Sequence, residues 1–504
     1  MAYSRYFCSM ESFNSTLETI GGFVWGPFLL IPLLLGTGIV LTIRLRGIQL
    51  RKLFSALRLG LIDRKDDAGD GDVSQYQALA MALAATVGVG NIVGVATAIS
   101  VGGPGALFWM WITGLIGMAS KYSEAFLGVR FRTTDAAGEQ AGGPQYYLER
   151  GLGNNFGKFL AVFFAVAATI ASFGIGNMTQ ANAVATNLES SFNISPMFAG
   201  TVIFVLLGAV LLGGVQAIGK VAAAFVPMMI VLYVGGGLWV LVMNASSIPE
   251  ALALIFTDAF TGTAAAGGFL GSGILLALQM GVARGIFSNE SGMGSGAIAA
   301  AAATTTHPVR QGLVSMTQTF IDTIIVVSIT GLAIVTTGVW KATGDDGLLI
   351  SAGAMTSAAY EKGLPGEWGG YIVAISVVFF AFSTLLGWSY YGERSFERLV
   401  GRRGTTPYRW MFTFVAFVGA TLPLEPVWNI SDIANGLMAL PNLIGLLLLS
   451  GLVARETKAY LDFDPALRAS VDQVEDFLIG QGQEHLIQRP PAKYMNESPG
   501  DRIY

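Results

Sequence analysis

Cysteine, histidine and charge are all scarce in this chain. Cys8 is the only cysteine among 504 residues, and there are two histidines. A lone cysteine forms no internal disulfide, and so few soft ligands leave no evident transition-metal site. Charged residues make up 12% of the chain, about half the ~25% usual in soluble domains. The balance of 29 basic to 33 acidic residues contains no basic stripe, so a nucleic-acid partner is not expected. No basic region precedes the first apolar run, and the stretch from Ser9 to Ser15 is polar. A cleavable signal is therefore not expected.

What is present is apolar sequence, 53% of the residues with a mean hydropathy of +0.59. Runs of ~20 apolar residues place the chain in the all-α polytopic membrane class. Eleven spans are expected, near 23–43, 75–101, 105–129, 158–187, 197–214, 221–243, 268–303, 312–340, 368–392, 408–424 and 427–453. The last is interrupted by Pro441 and is read as kinked or divided. Basic residues recur in alternate loops: Arg44 to Lys65; Lys121, Arg130, Arg132, Arg150 and Lys158; Lys220; Arg310; Arg394 to Arg409; Arg455 and Lys458. The positive-inside rule makes these loops cytoplasmic, with the amino terminus outside and the carboxyl terminus inside a cell (inner) membrane. Segments 245–266 and 341–366 are read as connections or lids. The tail from Leu461 is read as a solvated extension with one short helix at Val471 to Leu478.

Two spans are broken. Ala84-Ala85-Thr86-Val87-Gly88-Val89-Gly90-Asn91-Ile92 interrupts the second with poor helix formers. Gly281 to Gly296 interrupts the seventh with glycines, Asn289, Arg284 and Glu290. Helices unwind in lipid only where protein or a watery cavity satisfies the freed backbone. With the first span set aside, each break falls in the first helix of a five-helix block, and an odd block length inverts the second block. Matched breaks point to an inverted-repeat transporter with a midplane site. Gly88-x-Gly90 is not spaced as a dinucleotide loop. Gly90 and Gly94 alone would read as a close-packing pair. The implied division is an amino-terminal segment 1–73, repeats at 74–244 and 268–454 joined by 245–267, and a tail 455–504. Arg284, Glu290 and Asp322 are costly in lipid unless paired. Arg284 is expected to pair with Glu290 or Asp322, as a gate or as a fixed ion pair. His307 reads as an interface residue.

These residues carry a resemblance. Trp25-Gly26-Pro27, Gly36-Thr37-Gly38, Thr42 to Arg46, Ala84 to Ile92, Arg284 to Glu290 and Gly387-Trp388 resemble motifs of the alanine or glycine:cation symporter family. The resemblance runs from about Thr19 to Lys458. It implies the leucine-transporter fold, ten core helices in two inverted repeats plus one added helix, and sodium-coupled symport of alanine or glycine. No other cofactor, no nucleic acid and no obligatory protein partner is implied, only substrate, sodium and membrane lipid.

The unpaired N–H groups of Val89, Gly90 and Asn91 would then face the substrate carboxylate at a helix start. The carbonyls of Ala283 to Ile286, Gly285 included, would take its ammonium. By resemblance Phe287, Thr384 and Trp388 line the substrate site, with Asn177 and Gln180 as further candidates. The match to the leucine transporter places a sodium site at the carbonyls of Ala84, Val87 and Phe380 and the hydroxyls of Ser383 and Thr384. The alternative for those hydroxyls is a bond back to their own helix. A proton-coupled symporter, or a channel or sensor on the same fold, is the alternative reading. An enzyme is not expected, since no nucleophile and base are paired at membrane depth. A reporter fused after Tyr504 is expected in the cytoplasm; an extracellular reporter would reject this topology.

Overall fold

Apolar stretches fold as helices here because helices satisfy nearly every backbone group within the segment. The computed structural model describes residues 14–64, 71–261, 270–343, 349–366, 368–422 and 425–487. Cys8, Lys65, residues 262–266 and 344–348 of the two long connections, and the tail beyond Ile487 lie outside them.

The helices used below are α1 (Leu30–Arg44), α2 (Gln75–Thr86), α3 (Val95–Gly102), α4 (Gly105–Arg130), α5 (Pro144–Leu152), α6 (Asn155–Phe173), α7 (Thr179–Phe192), α8 (Pro196–Leu212), α9 (Gly214–Met243) and α10 (Ile248–Thr261). They continue with α11 (Leu270–Asn289), α12 (Gly296–Ala301), α13 (Pro308–Thr319), α14 (Ser328–Thr337), α15 (Ala352–Gly363), α16 (Gly369–Val400), α17 (Thr405–Thr421), α18 (Glu425–Phe463) and α19 (Val471–Gly480). Five continuous stretches are long and apolar enough to cross a membrane: Asn155–Phe192, Gly214–Met243, Pro308–Thr337, Gly369–Val400 and Val427–Phe463. A sixth is the bent pair α2 and α3, with 54° between its halves. The chain is thus a helical, multi-pass membrane protein. Among the described residues the only paired strands are Thr133–Thr134 and Gln140–Ala141, an antiparallel hairpin.

Two helices organise the rest. One side of the interior is α4, packed by α1, α10, α11, α12 and α13. The other is α16, packed by α2, α6, α7, α9, α15 and α17. Close approach depends on small residues. A Cβ on Gly387 of α16 would stand 2.7 Å from the backbone of Ala85, and one on Gly128 of α4 would stand 2.6 Å from the Ala297 carbonyl.

Several expectations change. Both long connections carry helices: α10 lies within 245–266 and α15 within 341–366. Asp258 of α10 accepts the N–H of Gly105 at 2.8 Å, capping the start of α4. Thr356 of α15 donates to the Ile92 carbonyl at 3.1 Å. α18 is not divided at Pro441. Lys121, counted with the loops, is a wholly buried residue of α4.

Other basic residues, among them Arg130, Arg150, Arg394, Arg398 and Arg402, gather at one end of the bundle and cross-link it. Arg130 pairs with Glu456 at 3.0 Å and Arg409 with Glu393 at 2.6 Å, while Arg394 meets Asp135 at 2.8 Å. The tail is not simply solvated. Ser470 and Gln473 form a capping box at the start of α19, and Val474 and Leu478 are buried. Arg310 pairs with Asp464 at 3.1 Å.

His307 stacks on Tyr460 with ring centres 3.9 Å apart. It is the N-cap of α13, its Nδ1 accepting the Val309 N–H at 3.2 Å. An accepting Nδ1 carries no proton. Burial, helped by the nearby charges of Arg310 and Arg130, lowers this imidazole to about 3. A depressed folded pKa contributes stability that is complete above the unfolded value of ~6.5 and is lost as pH falls toward 3. Lowering pH from 7.5 to 5 should therefore weaken the docking of α19 by on the order of 2 kcal/mol. Limited proteolysis of the tail against pH is the measurement. His307→Asn, which keeps a cap, should flatten that pH dependence.

Candidate functional site

The first break begins where Val87 leaves the helix, at φ −75° and ψ 87°. The Gly88 N–H donates to Asn91 Oδ1 at 2.9 Å. Asn91 Nδ2 donates to Asp322 Oδ1 at 2.7 Å. The Asn91 N–H is itself bonded to the Gly88 carbonyl at 3.1 Å. It is therefore not free for a ligand, correcting the sequence expectation: Asn91 shapes the break from within. Val89 and Gly90 open the following half-helix, where N–H groups lack intrahelical acceptors.

The second break lies further along than the glycines suggest. Helix α11 runs unbroken to Asn289, and α12 begins at Gly296. The carbonyls of Ala283 to Ile286 sit inside α11, and Ile286 already accepts the Glu290 N–H at 2.8 Å. Gly281 and Gly285 serve contact with α4 instead: a Cβ would lie 2.4 Å from the Ala106 carbonyl at the first and 2.6 Å from Thr113 Oγ1 at the second. The break therefore does not free the carbonyls of Ala283 to Ile286, correcting the sequence expectation.

The irregular segment between α11 and α12 is satisfied by distant side chains. Lys121 Nζ donates to the Glu290 carbonyl at 2.9 Å, and Gln318 Nε2 to that of Asn289 at 3.0 Å. Glu124 Oε1 accepts the Gly294 N–H at 2.9 Å and Asn442 Nδ2 at 2.8 Å. Asn442 Nδ2 also reaches the Gly292 carbonyl at 2.8 Å. Asp322 Oδ2 accepts Ser288 Oγ at 2.9 Å, so one carboxylate joins both breaks. Each freed group matters, since an unmet one in an apolar interior costs ~1–3 kcal/mol.

Between the breaks lies a cavity lined by Ala85, Thr86, Gly88, Val89, Gly90, Ile175, Gln180, Phe287, Glu290, Thr384, Trp388 and Asn435. Its volume is about 300 Å³. Trp388 Nε1 donates to Glu290 Oε1 at 2.8 Å, and Ser295 Oγ donates to Glu290 Oε2. Gly176 makes room for that indole, since a Cβ there would stand 2.4 Å from Trp388 Cγ. Two buried amide oxygens on the wall, Gln180 Oε1 and Asn435 Oδ1, accept no hydrogen bond among the described residues.

Phe287 also lines a second cavity, with Leu17, Glu18, Gly21, Gly22, Trp25, Gln279, Met280, Ala283, Arg284, Asn429 and Asp432. The pairing expected of Arg284 is not formed. Among the described residues it makes no ion pair with Glu290 or Asp322. Its guanidinium lies 5.6 Å from the Phe287 ring centre and within electrostatic reach of Asp432. The buried cation facing Glu290 is Lys121.

Asn177 is not on the cavity wall. Its Nδ2 donates to the Phe412 carbonyl at 2.7 Å, tying the turn after α6 to α17. Ser383 Oγ and Thr384 Oγ1 both donate to the Phe380 carbonyl, at 2.8 and 3.0 Å. These are the bonds back to their own helix that the sequence left open as the alternative. Thr384 Oγ1 lies close to the first break, a Cβ on Gly88 falling 2.6 Å from it. Ala84 and Val87 are both fully buried.

Sequence reasoning missed Lys121, Glu124, Asn435 and Asn442. Its signal was available: a Lys-x-x-Glu pair, and two asparagines seven apart, inside apolar spans. Trp388→Ala should enlarge the cavity and strengthen leucine's competition for uptake by about tenfold, the low end of what one methylene's fit is worth. Unchanged competition by alanine, serine and leucine would remove Trp388 from the wall.

The sequence model described as the sodium:alanine symporter family matches residues 10–473. The chain is 51% identical over 449 residues to the "Sodium/alanine symporter AgcS" of Methanococcus maripaludis, covering 89% of this chain and 97% of that one. It is 38% identical to the "Probable sodium/glutamine symporter GlnT" of Bacillus subtilis, over 86% of this chain and 87% of the relative. YrbD of the same organism, provisionally named a sodium/proton-dependent alanine carrier protein, is 38% identical over 86% of this chain and 92% of its own.

Proposed function

This chain belongs to the sodium:alanine symporter family, and we propose that it carries alanine or glycine inward together with sodium by alternating access. The family is one of transporters, not enzymes. The observation that carries the substrate reading is the cavity between the two breaks. It is narrow, and Glu290, the ionisable group on its wall, has both oxygens engaged by Trp388 and Ser295. A zwitterion fits such chemistry. Its carboxylate meets the N–H groups of Val89 and Gly90 at a helix start, where anions are favoured. Its ammonium meets the oxygens of Gln180 and Asn435. Phe287, Thr384 and Trp388 leave space for a methyl group or a hydrogen. That narrowness favours alanine or glycine over the glutamine in one relative's name.

Sodium is a hard cation that takes oxygen ligands, and unwound carbonyls supply them in transporters of this kind. The carbonyls of Ala84, Val87 and Phe380 with the hydroxyls of Ser383 and Thr384 make such a set. Sodium there would join α2 to α16 and hold the break in the shape that presents Val89 and Gly90. Substrate and ion would then strengthen each other's binding by the same factor.

Residues 74–244 and 268–454 act in this scheme as inverted repeats, with 245–267 between them. Eleven spans put the basic end of the bundle in the cytoplasm. The second cavity is then the outer approach, with Phe287 between it and the substrate, and Arg284 and Asp432 as charges at its wall. One observation favours a second reading. Glu290 is a buried carboxylate at the cavity, which a proton-coupled carrier would use.

Uptake of alanine by purified protein in vesicles decides between them. At fixed pH and membrane potential, replacing sodium by choline should abolish concentrative uptake. Ser383→Ala with Thr384→Val should weaken sodium activation at least tenfold. Concentrative uptake that persists in choline and follows a proton gradient would establish the alternative.

A further inference from the structure

The arginine-rich end of the bundle holds a cavity separate from the transport path. It is lined by Tyr146, Glu149, Arg150, Asn154, Asn155, Lys158, Glu397, Arg398 and Arg402, among others, and has about 1400 Å³ of empty space. Most charges there are already answered. Arg398 pairs with Glu149, and Arg402 pairs with Asp135 and Glu139, at 3.0 and 2.8 Å to the latter two. Two are not. Arg150 donates to the carbonyls of Phe131 and Arg132, at 3.5 and 3.2 Å, so its charge meets no carboxylate. Lys158 is exposed and, among the described residues, has no carboxylate partner. Tyr146 stacks between two guanidinium groups, 5.9 Å from Arg150 and 5.7 Å from Arg398. Arg398 and Arg402 are thus neutralised, and the unanswered positive charges on the wall, among the described residues, are Arg150 and Lys158.

The second observation is the face of α6 that rises from this cavity. Asn154, Asn155 and Lys158 belong to the mouth. From there Phe156, Phe159, Phe163, Val166 and Ile170 are 36–62% exposed. Their spacing of three, four, three and four residues keeps them in one stripe along the helix. In a membrane protein, an exposed apolar stripe of that length is a surface for acyl chains. A positive hollow at its foot is a place for a negative headgroup.

We propose that this cavity and stripe bind one anionic phospholipid. Its phosphate lies between Arg150 and Lys158, and its chains run along Phe159, Phe163 and Ile170. A bound lipid bridges α5, α6 and the end of α16, the helix that carries Thr384 and Trp388. The two unanswered charges select against a zwitterionic headgroup, whose amine would be repelled by Arg150 and Lys158. A free phosphate would share the polar part of the site but not the stripe.

The test uses the full chain in nanodiscs of phosphatidylglycerol and phosphatidylcholine, with the retained lipid read by native mass spectrometry. Wild-type protein should keep phosphatidylglycerol in excess of its share of the mixture. Arg150→Gln with Lys158→Gln should lower that retention by about 10- to 30-fold, as removal of two charges near a membrane surface implies. Lys158→Arg should retain it, which separates lost charge from lost folding. Arg44→Gln with Arg51→Gln, the same charge change outside the cavity, should leave it unaltered. Equal loss in that control, or no headgroup preference in the wild type, would overturn the proposal. So would displacement of the lipid by millimolar inorganic phosphate, which would make the site one for soluble anions.

Discussion

The structure depends on keeping irregular backbone satisfied inside an apolar interior. Freed N–H and C=O groups in the hydrocarbon region have no water to turn to. Both breaks are therefore enclosed by side chains contributed from far along the chain. Asp322 ties Asn91 to Ser288, while Lys121, Glu124 and Asn442 hold the segment from Glu290 to Gly294. These polar residues look expensive when each is taken alone. Together they cost less than the orphaned backbone they replace, and a partly satisfied network would be worse than none.

That arrangement explains why the two long helices beside the breaks are so rich in small residues. α4 and α16 must come close enough for short side chains to reach carbonyls and amides. Gly387 against Ala85 and Gly128 against Ala297 set that distance. The same closeness keeps the central cavity narrow and leaves Gln180 and Asn435 pointing unmatched oxygens into it.

The cavity is also joined to its surroundings through few residues. Glu290 meets Trp388 and Ser295 through its side chain and Lys121 through its carbonyl. Phe287 borders both the central cavity and the neighbouring one. Movement of α11 against α4 and α16 would thus change the wall, the partition and the ion-pair environment together.

Scarce charge and long apolar runs determined, from the sequence alone, that the chain is a helical membrane protein. Gly88 and Gly90 located the first break correctly because their effect is local: they weaken the helix they sit in. The separated motifs led to the right family. Other features could not be read this way. Gly281 and Gly285 carry the same local signal, yet α11 runs straight through them because α4 packs against the space they leave. The seventh span opens only at Glu290, where Lys121, Glu124 and Asn442 offer partners. Likewise Arg284 was matched to the nearest carboxylates in sequence, whereas the fold gives it Phe287 and Asp432 as neighbours. Where a helix can break, and which buried charge meets which, depends on groups hundreds of residues apart. Only the tertiary structure brings those groups within hydrogen-bonding distance.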